Sequence, residues 1–217
     1  MSNQNFFALI KDDNGAVEVN RIRVQGVLQD ELSKLFNKQY KEFMTGIDTE
    51  IQFNGDWKPD SNEVLVLENV AEAKVMVDAI NANASSFHAL QLSKFKEKPI
   101  KAIFTGLVEN GKTTVYVQKF SSRQALSLNE IPIIKMQTGN TFVKATEDIF
   151  TLDTKLVSVI IDNNVKFKSF HNARMVFELS QFYQEATDTD LNAMCKHPSL
   201  EVANVDEFIA NADSQVR

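Results

Sequence analysis

The residues that most often do chemistry are poorly arranged for it in this chain. Its three histidines, His88, His171 and His197, lie far apart, with no HxH or HExxH pair to start a metal site. Asp148, Asp153 and Asp162 fall near expected strands, and Glu178 on the helix expected after them. A metal-dependent nuclease would have to converge such carboxylates on a divalent ion, but no PD…ExK pairing links them. The single cysteine, Cys195, sits in Met194-Cys195-Lys196-His197. A nucleophilic thiolate needs a base beside it, and adjacent residues on a helix point in different directions. Cys195 therefore reads as a small buried hydrophobe. Gly111-Lys112-Thr113 echoes the end of a phosphate-binding loop, but Gly106, five residues before Gly111, has the wrong spacing. A tight turn explains Gly111 better. No cofactor is expected, and the reading leans against an enzyme.

Charge is more informative. Between Lys94 and Arg123 there are seven cations, Lys94, Lys96, Lys98, Lys101, Lys112, Lys119 and Arg123, against only Glu97 and Glu109. From Glu147 to Arg217 the balance reverses, with twelve acids against six bases. Clustered cations suit phosphate, because each phosphate they neutralise releases counterions. Lys94, Lys96 and Lys98 alternate and share one face of an extended segment. Phe95 and Phe120 interleave with them and could stack on bases. The competing explanation is a solvated face with edge lysines that prevent aggregation. The chain as a whole is acidic, 23 Lys+Arg against 29 Asp+Glu, so any attraction to nucleic acid must be local.

These side chains are carried by hairpins and helices. Phe6–Ile10, the turn residues Asp12-Asp13-Asn14-Gly15, and Val17, Val19 and Ile22 form a first hairpin. Val27, Leu28, Leu32, Leu35, Phe36, Tyr40 and Phe43 recur at helical spacing and predict an amphipathic helix over about 30–44, stopped near Gly46. Strands follow at 47–53 and 64–67, then a helix over 71–80. Residues 101–108, Asn110-Gly111 and 113–120 form the strongest hairpin. Weaker strands are expected at 131–136 and 142–145. A third hairpin pairs 156–161 with 165–170, and Ala173, Val176, Phe177 and Ser180 predict a helix to about 185. Two short helices, 188–195 and 205–212, are separated by Pro198.

Hairpins between helices indicate an α+β fold with antiparallel sheets rather than βαβ repeats. The small polar stretch Asn81–Ser86 suggests two subdomains, 1–86 and 87–217. With 43% hydrophobic residues, 16 Phe and few Gly or Pro, the 217 residues exclude disordered and collagen-like classes. One cysteine cannot form an intramolecular disulfide, which suits a reducing compartment. The start Met1-Ser2-Asn3-Gln4-Asn5 lacks the basic residues of a secretory signal, so a cytoplasmic protein is expected. The end at Gln215-Val216-Arg217 reads as a fragment boundary.

The order of strand 101–104, Asn110-Gly111 turn, strand 115–120 ending in Lys119-Phe120, strand 156–162, Asn164–Phe167 and the helix from His171 to Phe182 resembles the KwaB-like family. These are cytosolic components of the Kiwa anti-phage defence system. The resemblance covers about residues 94–183, and its motifs are structural rather than catalytic. It implies a bacterial defence protein that binds phage DNA beside a membrane-embedded KwaA-like partner, with family members longer than this chain. It assigns no DNA-contact residue; the seven cations are proposed from charge alone. The expected function is thus a non-enzymatic DNA-binding effector. The alternatives are a protein-interaction module or oligomerising scaffold, with a second copy as a further candidate partner, and a metal-dependent nuclease.

Overall fold

The computed structural model describes residues 4–11, 15–55, 58–91, 100–126, 134–137, 141–144, 149–182 and 187–212. The chain divides into two compact units, Met1–Glu178 and Leu179–Arg217. The class is α+β.

The first unit is built on a sheet of eight strands. In chain order these are β1 (Phe6–Lys11), β2 (Val17–Ile22), β3 (Thr49–Gln52), β4 (Glu63–Leu67), β5 (Ile100–Glu109) and β6 (Lys112–Lys119). Four short strands follow, β7 (Ala125–Leu126), β8 (Ile134–Gln137), β9 (Thr141–Lys144) and β10 (Ile149–Phe150). The hairpin β11 (Ser158–Ile161) and β12 (Asn164–Phe167) completes the large sheet, whose order is β2-β1-β5-β6-β11-β12-β4-β3. The short strands pair separately, β7 with β10 and β8 with β9. The three hairpins expected from sequence are present as β1–β2, β5–β6 and β11–β12. The exception to antiparallel pairing is β3, which runs parallel to β4 at the edge.

Strands from both sides of residue 86 interleave in this one sheet. The polar stretch expected to divide the chain holds instead a single 3-10 turn, Ala84–Ser86, inside the first unit, with Asn83 accepting the Ser85 N–H.

Turn chemistry sets the hairpins. Asn110 and Gly111 have φ of 51° and 77°, and Asp162 and Asn163 have 51° and 66°. Both pairs are two-residue turns with positive φ throughout, the kind whose twist matches antiparallel strands. The second turn thus centres on Asp162-Asn163, with Asn164 already paired to Ile161.

Helix α1 (Gly26–Met44) covers one face of the sheet. Phe36 packs on Phe6 at 5.6 Å, and Tyr40 stacks on Tyr116 at 4.9 Å. Burial pushes the Tyr116 phenol well above its ordinary range. The opposite face carries α2 (Ala71–Asn81) and α3 (Phe170–Ala173). There Phe7 stacks on Phe104, and Phe53 meets both Phe167 and Phe170. Gly106 lets α2 approach this closely. A Cβ at that position would stand 2.4 Å from the Thr114 carbonyl oxygen and 3.1 Å from Ile80 Cγ1.

The helix expected to run to about 185 is one turn long. α3 ends at Ala173 and the chain continues in turns as far as Phe177; the Glu178 N–H then donates to the buried Glu72 carboxylate at 3.1 Å. Val176, Phe177 and Leu179 are buried while Glu178 is exposed, a spacing that imitates helical periodicity without a helix.

In the second unit, α4 (Asp188–Cys195) and α5 (Val205–Asn211) match expectation. Thr187 and Asp190 cap α4 reciprocally, and the Thr187 hydrogen bonds hold the Asp190 carboxyl below its usual range.

Glu72 is the carboxylate that most constrains the first unit. It is 2% exposed and accepts Lys11 Nζ at 3.2 Å together with the Glu178 N–H. Lys11 also donates to Glu178 at 3.0 Å. Burial opposes the Lys11 charge, but the two carboxylates outweigh it and raise its pKa. Lys11→Met strands a buried anion and is expected to cost about 3 kcal/mol in denaturant unfolding. Glu178→Gln, on the exposed side of the triad, should cost under about 1 kcal/mol.

Candidate nucleic-acid interface

The seven cations proposed from charge do not form one patch. Lys94, Lys96, Lys98 and Phe95 lie outside the described residues. Lys101, Lys119 and Arg123 occupy one end of the β5–β6 hairpin, and Lys112 occupies the other. The eight residues of β6 put the two ends roughly 23 Å apart at ~3.3 Å per residue. Lys112 pairs at 3.6 Å with Asp162, which lies in the β11–β12 turn. Both side chains are largely exposed, so this ion pair adds little stability.

At the Lys119 end the backbone sets the directions. Lys101 is skipped in the β1–β5 register, where Leu9 pairs with Ala102 and Ile10 with Ile100. Its carbonyl accepts the Phe120 N–H at 2.9 Å. Lys119 points to the α2–α3 face and donates to Asn172 Oδ1 of α3 at 2.9 Å. Arg123 is exposed in the 3-10 turn Ser122–Gln124 that follows β6. Phe120 is not a free stacking platform: it is 9% exposed and stacks on Phe150 at 5.0 Å.

A second chain segment is brought to the same end. Residues 149–155 return beside 123–126, with β10 paired to β7 and the Thr151 N–H donating to the Gln124 carbonyl at 2.7 Å. The segment is then pinned by Gln118, which is fully buried in β6. Gln118 Nε2 donates to the Asp153 carbonyl at 2.9 Å and to Gln39 Oε1 of α1, while Gln118 Oε1 accepts the Asp153 N–H at 3.1 Å. Gln39 Nε2 also donates to the Asp153 carbonyl at 3.1 Å. This places exposed Lys155 beside the Lys119 end. Lys168, just past β12, joins the same edge of the sheet on the α1 face, its Nζ 5.1 Å over the Phe43 ring. Burial lowers the Lys168 pKa.

Lys101, Lys119, Arg123, Lys155 and Lys168 therefore share one end of the sheet. Sequence reasoning misses Lys155 and Lys168 because they sit in the acidic half of the chain, where local net charge is negative. Asp153 lies among these cations, its carboxylate accepting the Thr154 N–H at 2.7 Å.

The other chemistry-bearing residues do not gather. Asp153 and Asp162 stand at opposite ends of the sheet, Glu178 belongs to the Lys11 triad, and Asp148 lies outside the described residues. Among the described residues no three of His, Cys, Asp and Glu come together as a metal-binding group. His171 is exposed, and His197 Nδ1 accepts the Ser199 N–H at 3.2 Å. Cys195 is half-buried at the end of α4. Among the described residues no helix is long and apolar enough to cross a membrane.

Gln118→Leu is expected to leave the Asp153 N–H and the Gln39 carbonyl oxygen without their partner. The cost should be about 2 kcal/mol, and amides of 149–155 should exchange faster than those of β11 by hydrogen-exchange mass spectrometry. Comparison with known proteins finds no matching family model, no matching curated protein and no matching solved structure.

Proposed function

We propose that this chain is a non-enzymatic DNA-binding component of an anti-phage defence system, working in the cytoplasm beside a membrane-embedded partner. The observation that carries the reading is that separate segments bring Lys101, Lys119, Arg123, Lys155 and Lys168 to one end of the sheet, with Lys119 on the α2–α3 face and Lys168 on the α1 face. Of the elements on which the KwaB-like resemblance rests, the two hairpins β5–β6 and β11–β12 are present, whereas the helix expected over His171–Phe182 is the single turn Phe170–Ala173.

The expected binding is to the phosphate backbone. Cations on strand ends and turns can follow a backbone but offer no helix to read base edges in a groove, so affinity should depend little on sequence. Salt confines the attraction of this local patch to about a Debye length, roughly 10 Å at 0.1 M, and the acidic total charge adds no long-range attraction. Binding should accordingly weaken steeply as salt rises.

Duplex binding followed by fluorescence anisotropy across a salt series tests the proposal. A Lys101→Glu/Arg123→Glu/Lys155→Glu variant should bind at least tenfold more weakly. Its log K against log salt slope should be shallower by about 2 to 3, at ~0.9 for each phosphate that is no longer neutralised. Lys112→Glu, at the opposite end, should bind like the parent. Absence of parent binding at low salt, or equal losses in the two variants, would overturn the proposal. Cleavage of the duplex on adding Mg²⁺ or Mn²⁺ would replace it with the nuclease reading.

A further inference from the structure

The first unit contains an apolar cleft that borders the cationic end through the 149–155 segment. It lies under the N-terminal half of α1, against β1, β2 and β5, and has a volume of about 560 Å³. That is the scale of a small-ligand site. Of the twelve described residues lining it, eleven are apolar, among them Phe6, Leu28, Leu32, Leu90, Phe150 and Leu152. The twelfth is Arg23, exposed in the link between β2 and α1.

Positive charge reaches the mouth of the cleft through Arg23. Arg23 is the one charged residue among those lining residues. Beside it, α1 begins at Gly26 with no side-chain cap from Gln25 and no acid in its first turn. The first-turn N–H groups of such a helix lack intrahelical partners and favour an anion. Leu28, 48% exposed, carries apolar surface from this mouth into the cleft.

We infer that the cleft binds a single-chain fatty acid, its alkyl chain among the leucine and phenylalanine side chains and its carboxylate on Arg23. Among the described lining residues the apolar side chains offer no partner for the hydroxyls or amides of a sugar, nucleotide or peptide, and burying those groups unpaired is costly. They suit hydrocarbon. The guanidinium fork suits a carboxylate, which it can bind with two parallel hydrogen bonds. The site does not depend on DNA binding, and either proposal can fail alone.

Isothermal calorimetry and thermal unfolding of the full chain with dodecanoate test this inference. Dodecanoate should bind with a stoichiometry near one and raise Tm. Dodecanol, with the same chain and no charge, should bind at least tenfold more weakly. Arg23→Gln should reduce dodecanoate affinity about tenfold while leaving dodecanol unchanged. Leu28→Glu, at a position exposed enough to tolerate the charge, should abolish binding of both, with the far-ultraviolet circular dichroism reporting that the fold is retained. No dodecanoate binding, a stoichiometry well above one, or equal affinity for dodecanol would overturn the inference. Tighter binding of dodecyl phosphate than of dodecanoate would overturn the carboxylate assignment.

Discussion

Gln118 holds together the parts on which both proposed sites depend. Its buried side-chain amide joins β6 to α1 through Gln39 and to the 149–155 segment through both backbone groups of Asp153. Each of its polar atoms has a partner, so the amide is tolerated in the core and fixes its neighbours in one arrangement. The segment it anchors carries Lys155 toward the cationic end and Leu152 into the apolar cleft. One hydrogen-bonded group thus sets the position of a charged edge and of a hydrocarbon-lined cavity on the same unit.

Local signals make the hairpins legible in the sequence, because Asn110-Gly111 and Asp162-Asn163 are residue types that accept positive φ. The sheet order is not legible. It depends on long-range pairings, β1 with β5 and β4 with β12, that no local pattern specifies. The helix expected after β12 gives way to turns after Ala173, and the following Glu178 N–H is taken by Glu72, more than a hundred residues earlier, a pairing no local pattern specifies. Sequence signals put the start of α1 late, near Asp30, because its true first turn has no Ser, Thr, Asp or Asn cap to mark it, although Val27 and Leu28 already fit the helical spacing.

The candidate interface shows the same division. Counting charge along the chain finds Lys101, Lys119 and Arg123, which are close in sequence to other cations. It also includes Lys112, since sequence proximity cannot tell the two ends of one strand apart. Lys155 and Lys168 come to the edge through the β6–β11 and β11–β12 pairings, and their acidic neighbours in sequence hide them. The apolar cleft is illegible for a related reason: its lining comes from β1, β5, α1 and the segments around Ala89 and Leu152, none of which is unusual alone.

The two proposed sites border each other along the 149–155 segment but differ in physics. The cationic edge would act through screened attraction to phosphate, the cleft through burial of hydrocarbon, which salt affects little. Lysine acetylation footprinting by mass spectrometry, with and without duplex DNA at low salt, separates the two ends of the sheet residue by residue. DNA should protect Lys101 and Lys155 while Lys112 reacts equally in both conditions. Protection of Lys112 with Lys101 and Lys155 unchanged would contradict a phosphate-binding edge at the Lys119 end.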